Sequence, residues 1–187
     1  MADRQSDKSR VAILISGRGS NMKALIAGAR GYQVVLVASD RLHAPGLDVA
    51  RALAVPTFAF EARRDDFEAA LERSLRDHRV GTIALAGYMR ILSAQFIKRW
   101  QGRILNIHPS LLPDYKGLDT HIRVLAAGET VTGCTVHLVS EELDSGEIVA
   151  QAKVPVEPGE DAAALAARVL KAEHGLYPKA LSEFISR

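Results

Sequence analysis

The stretch "RVAILISGRGSNMKAL", residues 10–25, decides the fold. Residues 11–15 are apolar on both alternating faces, and the run is too short for a helix. A strand with one wet face would alternate; this one reads as covered on both sides, the habit of parallel sheets. A glycine turn follows, and "SNMKALIAGAR" then puts Met22, Leu25 and Ile26 on one helical face. Strand, tight turn and helix in that order open a crossover unit of an open α/β sheet.

The pattern recurs. "QVVLVAS" (33–39), "GTIALAG" (81–87) and "RILNIH" (103–108) are further short apolar runs, with "VPTFAF" (55–60) a weaker one. Between them "FEAALERSLRDH" aligns Phe67, Leu71 and Leu75 on one face. Alternating strands and helices predict an open, mostly parallel twisted sheet. The last third differs: "TGCTVHLVS" and "EIVAQAKVPV" alternate more and are joined by "EELDSG", which reads as a reversal between antiparallel strands. From Asp161 a closing C-terminal helix carries Leu165, Val169, Ala172 and Leu176, with Gly175 and Pro178 expected to bend or break it.

With 187 residues, 48% hydrophobic and 25% charged, the chain is expected to form one domain over residues 10–187, after a disordered lead-in of residues 1–9. A net charge of +2, with no run of Lys or Arg, argues against nucleic acid. No apolar run has the length of a membrane span, and Cys134 is the only cysteine, so a reducing cytoplasm is expected. The sequence leaves monomer or homodimer open.

The glycine loop sits where backbone N–H groups and a helix dipole receive an anion. Asp40 ends the second strand as a dinucleotide-binding acid would. That fingerprint fails at Met22, which fills the place of its third small residue, and the P-loop lysine is missing. A single phosphate held by Gly19, Ser20 and Asn21 is one reading; Ser20 or Asn21 simply capping the helix is the other.

In "ILNIHPSLLPDYKG", residues 104–117, Asn106 and His108 are two apart and so share one face at the carboxyl end of a parallel strand. Pro109 keeps His108 extended. An amide and an imidazole there can donate to a developing oxyanion, or His108 can be a satisfied half-buried histidine. Asp144, beside Gly146 in "LDSGE", is the candidate carboxylate partner, although the turn also reads as a solvated acidic loop. His137 lies mid-strand and can face the same site. The other histidines show no metal-ligand spacing, so no metal is expected. No G-x-S-x-G and a strand-embedded Cys134 speak against a covalent nucleophile.

Taken in order, "VAILISGRGSN", "LAGYMRILS", "ILNIHPSLLPDYKG", "TGCTVHLVSEELDSGEIVAQAKVPV" and "RVLKAEHGLYP" resemble the glycinamide ribonucleotide transformylases, folate-dependent formyltransferases of purine biosynthesis. The resemblance covers the chain after the lead-in. It implies a Rossmann-like formyltransferase fold, with N10-formyltetrahydrofolate as co-substrate and the amine of glycinamide ribonucleotide as acceptor. Asn106, His108 and Asp144 match the family's catalytic residues, Gly19, Ser20 and Asn21 its phosphate loop, and Glu173 its ribose contact. Met89, Arg90, Ile91 and Leu92, with Glu141, Glu142 and Leu143, match the folate pocket, and Arg64 the neighbourhood of the folate's glutamate tail. Tyr88, where Phe is commoner, and the bulkier Ile122 and Val124 depart from the pattern. Alternatives are a formyltetrahydrofolate hydrolase, a formyltransferase for another amine, and a non-catalytic nucleotide-binding module.

Overall fold

A computed structural model describes residues 7–187. The first apolar run lies in β1 (Asp7–Ile15), which begins inside the expected lead-in; residues 1–6 of that lead-in lie outside the described residues. Then come α1 (Ser20–Ala27), β2 (Gln33–Ser39), α2 (Pro45–Ala52), β3 (Thr57–Ala59), α3 (Arg64–Asp77) and β4 (Val80–Leu85). The second half carries α4 (Ala94–Arg99), β5 (Ile104–His108), α5 (Thr120–Ala126), β6 (Val131–Leu138), β7 (Ile148–Pro155) and α6 (Ala162–Ser186).

The strands form one sheet in the order β3-β2-β1-β4-β5-β6-β7. The first five pair in parallel, while β6 runs antiparallel to β5 and β7 antiparallel to β6. The chain winds outward from β1 to β3 and then crosses back to β4. A crevice therefore opens between the carboxyl ends of β1 and β4, the place where open α/β sheets take ligands.

Each face of the sheet has its own core. Ala12 and Leu14 meet Phe67, Leu71 and Leu75 of α3 and Phe96 of α4 on one side. Val11, Ile13 and Ile15 meet Met22 and Leu25 of α1, Leu47 of α2 and Leu165, Val169 and Tyr177 of α6 on the other. That double cover is why these strands are apolar throughout.

α6 passes through Gly175 and Pro178 without the break that was one of the two expected outcomes. A proline inside a helix costs about 3 kcal/mol, and burial of Tyr177, Ala180 and Leu181 around it offsets that cost. The fully buried stripe is also not the one periodicity selected. Leu165, Val169, Glu173, Tyr177 and Leu181 recur every fourth residue, while Ala172 and Leu176 are only partly buried. The stripe thus carries a carboxylate into the core. The Tyr177 hydroxyl lies 3.1 Å from the carbonyls of both Leu85 and Leu105, tying α6 to β4 and β5.

Candidate active site

Asn106 and His108 occupy the last turn of the pleat in β5, on the face opposite Leu105 and Ile107. Antiparallel pairing sets His137 of β6 directly across from Asn106. The His137 Nδ1–H donates to the Leu138 carbonyl at 2.9 Å, which leaves Nε2 as an acceptor. The Asn106 amide donates to that Nε2 at 3.2 Å. Burial holds His137 below the usual histidine range, outweighing its Leu138 bond and the pull of Asp144, and nearby His108 lowers it further. His137 therefore serves as a neutral acceptor that orients the Asn106 amide, whose second N–H has no partner among the described residues.

Asp144 arrives from the loop between β6 and β7 with its backbone at φ 49°. One carboxylate oxygen lies 3.4 Å from His108 Nδ1 and accepts from the Gly117 N–H at 2.9 Å. The other lies 3.7 Å from His137 Nε2. His108 Nε2 donates to the Tyr115 carbonyl at 2.9 Å. Both ring nitrogens of His108 thus face oxygen acceptors, and only the imidazolium can donate to both. Gly146 allows a close backbone contact: a Cβ there would lie 1.8 Å from the Leu138 carbonyl oxygen. It lets the loop cross over the end of β6 and return Asp144 to the site.

These groups open into a cavity of about 1000 Å³. At one end Asn21 donates to Glu173 at 2.6 Å, both side chains being buried. Burial pushes the Glu173 carboxyl up against the opposing effect of that bond. The Asn21 carbonyl oxygen is buried there without a partner. Gly19, at φ 72°, is the N-cap of α1, and no side chain caps this helix, so the expected capping by Ser20 or Asn21 does not occur. Of the loop, Asn21 lines the cavity, and Gly19 and Ser20 are not among its lining residues.

The other end is walled by residues 87–92, with Met89 63% and Ile91 70% exposed and Leu92 buried beneath. Glu141 and Leu143 also line it, whereas Glu142 turns outward, 3.7 Å from Lys116. Arg64 lies elsewhere. It edges a separate groove of about 590 Å³ with Asp65, Glu68, Glu72, Ser93 and Arg99. Opposite the 87–92 wall stand Leu118 and Ile122, 72% and 59% exposed. Sequence reading did not select them for the cavity; the available signal was two large apolar residues in the otherwise polar stretch "YKGLDTHIR". Among the described residues no group of three His, Cys, Asp or Glu side chains could hold a metal ion.

A doubly covered sheet with an amide, an imidazole and a carboxylate at its carboxyl edge is the architecture of a group-transfer enzyme, and the chain belongs to the formyl transferase family, which matches residues 9–181. It is similar, at 40% identity over 183 residues, to the phosphoribosylglycinamide formyltransferase of Escherichia coli, covering 93% of this chain and 86% of that one. It is 44% identical over 185 residues to the trifunctional purine biosynthetic protein adenosine-3 of Homo sapiens, covering 95% of this chain and 18% of that protein. The chain thus spans less than a fifth of the length of the trifunctional relatives it matches. The crystal structure of phosphoribosylglycinamide formyltransferase from Brucella melitensis superposes with a TM-score of 0.90 at 51% identity, covering 96% of each chain.

Proposed function

We propose that this chain transfers the formyl group of N10-formyltetrahydrofolate to the primary amine of glycinamide ribonucleotide. The observation that carries this reading is that Asn106, His108 and Asp144 line one cavity together with the Asn21–Glu173 pair and the apolar side chains of the 87–92 wall. A two-substrate transfer needs both reactants held in attack geometry, and one cavity with polar and apolar linings supplies it.

In this mechanism the amine nitrogen attacks the formyl carbon, and the carbonyl becomes a tetrahedral oxyanion. The free N–H of Asn106 donates to that oxygen. His108, whose Nε2 donates to the Tyr115 carbonyl and whose Nδ1 lies 3.4 Å from Asp144, stabilises the oxyanion as well. The attacking amine sheds a proton toward Asp144 through water, and N10 takes a proton as its bond to the formyl carbon breaks. The ribonucleotide lies with its ribose toward Glu173 and its phosphate at the start of α1, where N–H groups lack a side-chain cap. The folate lies against Met89, Ile91, Leu118 and Ile122. We place the reaction in the cytoplasm, a reading supported by a buried Cys134 with no disulfide partner among the described residues; no described helix is long and apolar enough to cross a membrane.

An assay supplying N10-formyltetrahydrofolate with glycinamide ribonucleotide, other amines or no amine tests the proposal. Tetrahydrofolate should form only with the ribonucleotide. Release of formate without an amine would identify a hydrolase instead, and equal turnover with unrelated amines would remove the ribonucleotide assignment.

A further inference from the structure

Asp40 has the sequence position of a dinucleotide-binding acid, yet its carboxylate is spent entirely inside the protein. It follows β2 directly, and its side chain is 8% exposed. One oxygen accepts from the Ser16 hydroxyl at 2.7 Å, and the other lies 3.6 Å from Arg90 Nε. The Ser16 hydroxyl in turn accepts from the Met89 backbone N–H at 3.0 Å. Arg90 also donates to the Ala62 carbonyl at 2.9 Å and lies 5.8 Å from the centre of the Phe67 ring.

One carboxylate is therefore linked, through a hydroxyl and a guanidinium, to two consecutive residues of the 87–92 wall. That wall needs such a brace. Met89 and Ile91 line the cavity 63% and 70% exposed, so their own burial cannot fix the backbone. Ser16 also donates its backbone N–H to the Gly87 carbonyl, so the ends of β1 and β2 hold the wall alongside the packing of Tyr88 and Leu92. The negative charge has a second effect: it holds the Arg90 cation against the Phe67 ring.

We propose that Asp40 is a positioning residue for the folate substrate, setting the shape of the 87–92 wall through Ser16 and Arg90 without touching the ligand. This rests on the reading of that wall as the folate site. It gives the acid at the end of β2 a role in a formyl-transfer reaction, where a dinucleotide ribose has no place.

Asp40→Ala, Asp40→Asn and Ser16→Ala separate this role from a general contribution to folding. The measurements are kcat, the KM of each substrate, and calorimetric binding of tetrahydrofolate to the full chain. Asp40→Ala should raise the formyl-folate KM and the tetrahydrofolate Kd about ten-fold while kcat stays within about two-fold. The ribonucleotide KM should not move. Asp40→Asn, which keeps an acceptor for Ser16 and loses the charge facing Arg90, should recover part of the loss. The Ser16→Ala/Asp40→Ala pair should be less than additive, because both act on one unit. Unchanged or tighter tetrahydrofolate binding in Asp40→Ala, or an equal rise in both substrates' KM, would overturn the proposal. Should Asp40→Ala not fold, the same outcomes are read from the other two variants. Wild-type protein that binds no tetrahydrofolate would instead remove the folate reading, and the proposal with it.

Discussion

Asn106 and His137 face each other across β5 and β6, and the amide donates to the imidazole Nε2 at 3.2 Å. The pairing engages one N–H of Asn106 and, in the proposed reaction, leaves the other for the oxyanion. His137→Leu should lower kcat about ten-fold, equivalent to about 1.4 kcal/mol of transition-state stabilisation. Both KM values should stay near wild type. Because burial holds His137 below the usual histidine range, the acid-side loss of kcat tied to this bond should appear only below that range, where Nε2 gains a proton and can no longer accept. A pH–kcat profile of the wild type against His137→Leu checks it: the mutant should lack that limb.

Asp144 combines a charge facing two histidines with a hydrogen bond to Gly117, from a backbone in the left-handed region. Asparagine tolerates that backbone and keeps an acceptor for Gly117. Asp144→Asn should therefore cut kcat by about 10²–10³ with little change in melting temperature. Asp144→Ala should show the same kinetic loss and melt lower. Steady-state kinetics beside thermal melts distinguish the two variants, and a near-normal kcat in Asp144→Asn would contradict the charge role.

Glu173 is buried with one hydrogen bond, and burial raises its carboxyl above the ordinary value. A raised folded-state carboxyl favours the native state while protonated; that advantage is lost as pH rises through the folded value. Charged Glu173 therefore costs stability at neutral pH. Glu173→Gln, which still accepts from Asn21, should raise the melting temperature at pH 7 by about 2–4 °C for each kcal/mol recovered. The gain should vanish as pH falls toward the unfolded glutamate value, about 4.3. Melts from pH 4 to 8 check the sign, and the same variant should bind the ribonucleotide more weakly.

Tyr177 is wholly buried with its hydroxyl between two strand carbonyls. Tyr177→Phe should destabilise the fold by about 1 kcal/mol, read as a lower midpoint in urea with an unchanged slope. It does not line the cavity itself, so kcat and both KM values should hold.

The strands were legible because double burial writes itself as unbroken apolar runs, and the β6–β7 reversal because edge strands alternate. Short helices were harder to read. α2 and α4 span 8 and 6 residues, too few turns for periodicity to show, and α4 is fixed instead by its N-cap Ser93, whose hydroxyl accepts from the Phe96 N–H while its own N–H and O–H donate to buried Glu68. Asn106 and His108 could be paired from strand geometry alone. The proximity of Asp144 to His108 could not, since it depends on a nine-residue loop (139–147) folding back over β6. The role of His137 needed the β5–β6 register, which one residue of slip would have reversed. Leu118 and Ile122 looked like loop residues because nothing local marks an apolar side chain that awaits a ligand.

The bond between Asn21 and Glu173 joins residues 152 positions apart, one on the first helix and one on the last. Neither α1 nor α6 forms that pair alone, so the polar lining around Asn21 and Glu173 exists only when both helices are docked on the same face of the sheet. Any change that shifts α6 along its packing stripe would therefore separate the pair before it disturbed the strands themselves.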